Sequence, residues 1–170
     1  MPDTVTYTPI ATNTLGSAAA SVTFSSIPST YTDLVLITQA KGSTATNQLT
    51  RVGNGSVDTG SNYSITLIGA DYVTPVSTRT SSATSMQLNY DTYLDSGYFF
   101  TQILQLQNYA NTTTYKSVLA RSNMNDGNYG IDAAVGLWRS TSAINIITFS
   151  LNGAATFSIG STFTLYGIGA

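Results

Sequence analysis

Glutamate, histidine and cysteine are missing from this 170-residue chain, and lysine occurs only at Lys41 and Lys116. Each gap removes chemistry. Without cysteine there is no disulfide framework and no thiol nucleophile, and without cysteine and histidine together the usual zinc and haem ligands are gone. Ser–His–Asp triads go with histidine. The six basic residues are scattered between Lys41 and Arg139, which leaves no cationic footprint for nucleic acid or an anionic membrane surface. No apolar run approaches the ~20 residues of a membrane-spanning helix. Met1-Pro2-Asp3-Thr4 offers neither a basic flank nor an apolar stretch, so no signal peptide is read there.

What is present is hydroxyl. Serine and threonine number 49, or 29 % of the chain, while charged residues make up 8 % against about 25 % in an ordinary soluble domain. The apolar fraction is near normal at 42 %. The length suits one domain, 1–170, with a full core. Good formers of exposed helix are scarce, and Thr, Val, Ile, Tyr and Phe recur in short runs between Gly, Asn, Asp, Ser and Pro clusters. That spacing predicts an all-β, antiparallel, jelly-roll-like sandwich of about ten strands.

The runs place strands at Val5–Ile10, Ser21–Ile27, Leu34–Ile37, Gln48–Val52, Tyr63–Ile68, Met86–Leu88, Tyr98–Tyr109, Tyr115–Arg121, Ile131–Trp138 and Ile144–Leu151, with a last strand from Phe157 or Thr162 to Ile168. Leu34–Ile37 lacks alternation and is expected to be buried on both faces. Gln48–Val52 and Tyr63–Ile68 are expected to pair, with a type I′ turn signal at Asn54-Gly55 between them. Asp71–Ser85, polar and carrying Pro75, reads as a long loop. Within Tyr98–Tyr109, Phe99, Ile103 and Tyr109 fall on one face and Phe100, Leu104 and Leu106 on the other. Residues 1–26 are expected to form an arm or edge strands, both chain ends to be tied down, and Trp138 to lie in the core.

Several stretches resemble a known family when taken in order. They are Ile27-Pro28-Ser29-Thr30-Tyr31-Thr32-Asp33-Leu34-Val35-Leu36; Asp58-Thr59-Gly60-Ser61-Asn62-Tyr63-Ser64; Asn108-Tyr109-Ala110-Asn111 through Tyr115-Lys116-Ser117-Val118-Leu119; and Gly136-Leu137-Trp138-Arg139 through Gly160-Ser161-Thr162-Phe163-Thr164-Leu165-Tyr166-Gly167-Ile168. The chain is similar, from about Ile27 to Ile168, to small structural proteins of tailed bacteriophages. The resemblance implies a virion component on a β-sandwich, either a head decoration (cement) protein or a tail-fibre module. No catalytic motif carries over with it.

The side chains left for chemistry are few. Asp91 and Asp95, or Asp126 and Asp132, are the candidate carboxylate pairs for glycoside cleavage, and their setting among turn residues reads instead as backbone capping. Ser–Lys chemistry at Lys41-Gly42-Ser43 or Lys116-Ser117 would need a buried, depressed lysine, and Lys116 is expected to be half exposed. Asn125-Asp126-Gly127-Asn128 offers oxygen ligands of the kind calcium takes but lacks EF-hand spacing, and reads as a turn. Sequons at Asn54, Asn62 and Asn111 read as chance matches in so hydroxyl-rich a chain. No catalytic residue, cofactor or metal is therefore expected. Tyr72, Tyr90, Tyr93 and Tyr98 flank polar loops and are the candidate contacts for a glycan or a protein partner. The expected partners are a major capsid protein or other virion proteins and further copies of the chain, a trimer being favoured by local three-fold positions on a capsid. The alternative reading is a receptor-binding module for host glycans.

Overall fold

A computed structural model describes residues 6–71, 73–124 and 130–169. Its strands are β1 (Tyr7–Thr14), β2 (Ser21–Phe24), β3 (Asp33–Ala40), β4 (Gln48–Asn54), β5 (Ser56–Val57), β6 (Tyr63–Ala70), β7 (Pro75–Ala83), β8 (Met86–Gln87), β9 (Phe100–Leu106), β10 (Lys116–Met124), β11 (Ile131–Trp138), β12 (Ile146–Leu151) and β13 (Thr162–Ile168). Among the described residues there is no helix, as a chain rich in β-branched and aromatic residues dictates.

Two antiparallel sheets result. The larger runs β1-β13-β3-β9-β10-β11-β6-β7, the smaller β2-β12-β4-β5 with β8 also on β4. The orders β1-β13-β3-β9 and β2-β12-β4-β5 are the winding of an eight-stranded jelly roll. The strands β10, β11, β6 and β7 extend its larger sheet beyond β9.

Alternation sends one face of each sheet into a shared core. Leu34, Leu36, Leu104, Phe163 and Leu165 enter from the larger sheet, and Val22, Phe24, Val52, Ile147 and Phe149 from the smaller. Burying an aliphatic or aromatic side chain of this size contributes about 1.5–3 kcal/mol. Phe163 stacks on Phe149 at 5.6 Å between ring centroids and meets Phe157 edge-on at 5.0 Å, so aromatic contact joins the sheets directly. Hydrogen bonds join them too. The Tyr63 hydroxyl of β6 donates to Val52 O of β4 at 2.9 Å, and burial pushes its phenol up to about 12. Gln48 Nε2 of β4 donates to Gln102 Oε1 of β9 at 2.8 Å inside the core.

The sandwich, the buried Trp138 and the span Ile131–Trp138 agree with expectation. The thirteen strands among the described residues exceed the ten or so expected; the short strand at Met86–Gln87 was anticipated, and the two that were not are β5, only two residues long, and β7. Five further readings are corrected. Asp71–Ser85 is not a long loop, because β7 occupies Pro75–Ala83. It is an edge strand with Pro75 as its first residue, where proline and polar side chains are tolerated. β4 and β6 do not pair but lie in different sheets. The Asn54-Gly55 turn leads into β5, and only Gly55 has positive φ there, so it is not type I′. Tyr109 lies past the end of β9, beyond the left-handed Asn108, and is buried with its hydroxyl donating to Pro28 O. Lys116 is buried rather than half exposed, its Nζ donating to Thr114 O at 2.7 Å and Thr141 O at 3.2 Å. Of Leu34–Ile37, the first three residues are buried and Ile37 is partly exposed. From Tyr7 onward the N-terminal segment supplies edge strands, β1 to the larger sheet and β2 to the smaller.

The C-terminal Leu165-Tyr166-Gly167-Ile168 has a packing reason for its glycine. The Tyr31 ring lies where a Cβ on Gly167 would stand, so the glycine lets the ring cover the inward side of β13. Gly167→Ala should force Tyr31 off the sheet and destabilise the fold by about 1–3 kcal/mol, read as a lower urea midpoint with an unchanged slope.

Candidate functional site

The segment between β8 and β9, residues 88–99, holds three of the four candidate tyrosines and two of the candidate carboxylates. Its conformation is set by Asp132 of β11, whose carboxylate is buried on the inward face of the larger sheet. Asp132 Oδ2 accepts the backbone N–H of Tyr90 at 2.8 Å and of Thr92 at 2.9 Å, and Oδ1 accepts that of Asp91 at 3.2 Å. The Thr92 hydroxyl reaches both the same carboxylate and Ser122 Oγ of β10, the latter at 2.7 Å. Asn89 ties the segment to the other sheet, accepting the backbone N–H of Gln48 at 3.1 Å. Three successive N–H groups converging on one carboxylate offset the cost of burying its charge.

Asp91 stands differently. Its Oδ2 is buried without a hydrogen-bond partner among the described residues. Burial, and then the negative charges of Asp132 and Asp71, hold its carboxyl above the ordinary value. The structure therefore brings Asp91 beside Asp132, not beside Asp95. Asp95 caps its own turn instead, accepting the N–H groups of Gly97 and Tyr98 at 2.8 Å each. Asp126 and the whole Asn125-Asp126-Gly127-Asn128 turn lie outside the described residues. Among the described residues no group of three acidic side chains is arranged to hold a metal ion.

Other carboxylates are likewise occupied with backbone. Asp71 accepts Val73 N at 2.8 Å and Thr74 N at 2.6 Å, which hold its carboxyl below the usual value. Asp58 accepts Trp138 Nε1 at 2.7 Å, Asn62 Nδ2 at 2.9 Å and Gly60 N at 2.8 Å. Burial pushes the Asp58 carboxyl up, and these three bonds together outweigh it and hold it low. The buried Lys116 is pushed down by desolvation, and its Nζ is engaged by two carbonyls. The amine that Lys116-Ser117 chemistry would need is thus spent on the loop carbonyls of Thr114 and Thr141.

Of the four tyrosines, Tyr90 and Tyr98 are half exposed and Tyr93 is partly buried; Tyr72 lies outside the described residues. Tyr90 lines a shallow depression with Leu49, Thr78 and Gln87. Beside Tyr98, Phe99 lines a separate groove with Gln39, Thr101 and Ile131, and Lys41 Nζ sits 4.7 Å from the centre of the Phe99 ring.

A broader surface was not anticipated from the sequence. The outward face of the smaller sheet carries Ser21, Thr23, Thr148 and Ser150, with Thr23 and Thr148 bonded at 2.9 Å. The outward face of the larger sheet is apolar across its middle. One row reads Tyr166, Val35, Gln105, Leu119, Val135 and Thr66 across six strands. The next reads Thr164, Ile37, Ile103, Arg121, Ala133 and Ile68. The signal that could have revealed it is that Ile131, Ala133, Val135 and Leu137 share one parity of β11 while the other parity is already buried.

No family model and no curated protein matches the chain. Among solved structures it is similar to a protein of unknown function from Shewanella oneidensis, at 7 % identity over 97 % of this chain and 77 % of that one, with a TM-score of 0.25.

Two predictions follow from the carboxylates. Asp132→Ala should leave buried N–H groups without an acceptor, each costing about 1–3 kcal/mol, and should speed hydrogen exchange at residues 90–92 before the rest of the fold. Asp91 binds its proton more tightly folded than unfolded, so its contribution to stability is lost as pH rises from the unfolded value through the raised folded one. Asp91→Asn should therefore raise Tm at neutral pH and remove that part of the pH dependence; an equal Tm shift at pH 3 and pH 7 would contradict it.

Proposed function

We propose that the protein is a non-enzymatic structural component of a phage virion, most consistent with a decoration (cement) protein bound across capsomers of the head. One observation carries this reading: both outward sheet faces are poor in charge, with Arg51 alone on the hydroxyl-clad smaller one and Asp33, Arg79 and Arg121 about the apolar middle of the larger. Such surface costs little to desolvate against a neighbour, and interface cores are depleted of Lys, Glu and Asp. The net charge of −2 adds little repulsion between closely spaced copies. The resemblance to tailed-phage structural proteins in the Asp58–Ser64 and Gly160–Ile168 stretches supports the same role, with a jelly roll as a suitable body. Binding that exists only on the assembled shell stabilises the shell by mass action.

The alternative is a tail-fibre module that recognises host surface glycans. It is favoured by the half-exposed rings of Tyr90, Tyr98 and Phe99 beside amide and hydroxyl side chains, since a ring face with polar neighbours suits a sugar.

Labelled antibody against the protein should decorate heads in electron micrographs, and purified protein added to expanded capsids lacking it should raise their resistance to heat. Label confined to tails, together with specific retention on a glycan array, would overturn the capsid role in favour of the alternative.

A further inference from the structure

We propose that the outward face of the larger sheet is where a second copy of this chain docks, face to face. The proposal deepens the structural role above by naming a self-contact, and it is tested on purified protein, so its failure and that of the virion reading are separable.

The exposed apolar side chains are concentrated, not scattered. Among the described residues six of the twelve large ones lie on this one face: Tyr7, Ile37, Ile68, Leu119, Ile131 and Val135, of which Leu119 is 42 %, Val135 48 % and Ile68 60 % exposed. Contiguous apolar surface of this kind marks an interaction site, whereas isolated exposed apolar residues do not. Two adjoining shallow depressions meet at Leu119 and Ala120, so the face is slightly dished at its centre. Along the β1–β13 edge of the apolar middle stand Thr12, Thr14, Thr162 and Thr164, bonded in pairs through their hydroxyls at 3.3 and 3.0 Å, and along the β7 edge Ser77 and Arg79. An apolar centre within a polar rim is the anatomy of a protein interface.

Size and charge point to a copy of the chain itself. Eight strands about 4.8 Å apart and seven residues tall at about 3.3 Å each give a face of ~800 Å², which is what one partner contributes to a standard interface. Sheets also pack on sheets at about 10 Å with nearly aligned strands, so the face fits its own likeness. Of its three charges, Arg79 at the β7 margin, level with Thr66 and Val135, meets only its own copy across a two-fold, whereas Arg121 and Asp33 are complementary. Arg121 stands mid-face between Ile103 and Ala133. Asp33 lies on the same face at the start of β3, one residue of outward parity before Val35. A two-fold axis running across the strands over the Val35–Leu119–Val135 row carries Arg121 of each copy toward the Asp33 end of the other. Such an isologous contact closes at two copies and leaves no open surface to propagate.

Sedimentation equilibrium of the purified full chain should give twice the 17.9 kDa of one chain. Leu119→Lys with Val135→Lys, both at exposed positions, should weaken self-association about 100-fold or more with unchanged circular dichroism and Tm. Ile159→Lys, exposed in a loop away from this face, should leave self-association as it is. Arg121→Asp should weaken it, and Arg121→Asp combined with Asp33→Arg should restore part of the loss. A wild-type monomer at all concentrations, or a dimer equally strong in the Leu119/Val135 variant, would overturn the proposal. Asp33 Oδ1 also accepts the backbone N–H of Asn108 at 2.7 Å, so the exchange is read beside Asp33→Arg alone; failure to restore any affinity, with circular dichroism and Tm equal to those of Asp33→Arg alone, would overturn the two-fold orientation.

Discussion

Strand β13 holds the larger sheet together, because its two neighbours come from the other end of the chain. It pairs with β1 on one side and β3 on the other, and among the described residues β1 has no other partner. β12 does the same in the smaller sheet, lying between β2 and β4. The first two strands thus take their backbone hydrogen bonds from the last two. Phe163 of β13 and Phe149 of β12 then stack across the gap, so the pairing that closes each sheet also brings the sheets together. Loop-closure entropy rises only slowly with length, and the aromatic burial that follows offsets it. The ordering of the remaining elements depends on this closure, with β10, β11, β6 and β7 added outward from β9.

Shortage of charge shapes how the polar groups inside are handled. Asp132, Asp58, Asp71 and Asp95 each accept backbone or indole N–H groups. Each carboxylate therefore organises a loop, and the cost of removing it from water is offset locally. Lys116 follows the same rule with carbonyls as acceptors. Between β4 and β9 an amide pair does this, Gln48 Nε2 donating to Gln102 Oε1. Asp91 is the exception among these carboxylates, with one oxygen buried and unpartnered among the described residues, as are Gln48 Oε1 and the hydroxyls of Thr38 and Thr50.

Class and architecture were legible in the sequence because they rest on local signals. The alternation of Ile131–Trp138 and of Phe100–Leu106 needs only neighbouring residues to be read. β7 was hidden because an edge strand exposes one flank and both faces in part, so Val76, Thr78 and Thr80 carry no strong pattern among the serines. The partners of β4 and β6 were hidden because pairing is non-local, and nearness in sequence suggested a hairpin that the jelly-roll winding forbids. The same limit applied to the site. Asp91 and Asp132 are 41 residues apart and meet only once β11 lies beneath the 88–99 segment. Lys116 looked half exposed because its polar tip masks an inward parity, which the alternation with Val118, Ala120 and Ser122 does encode.

The far margin of the larger sheet, β7, leaves nine residues of backbone with one side unpaired. Such a margin is a template on which sheets grow into fibres. Here growth is interrupted by features already in place. Pro75 removes a donor at one end, Arg79 puts a charge at the middle, and the irregular register opposite Tyr63–Ile65, with Ser82 at positive φ, twists the other end. Contact through a face can close on itself whereas contact through a margin polymerises, so these features bar the open-ended route along β7 and leave the closed one.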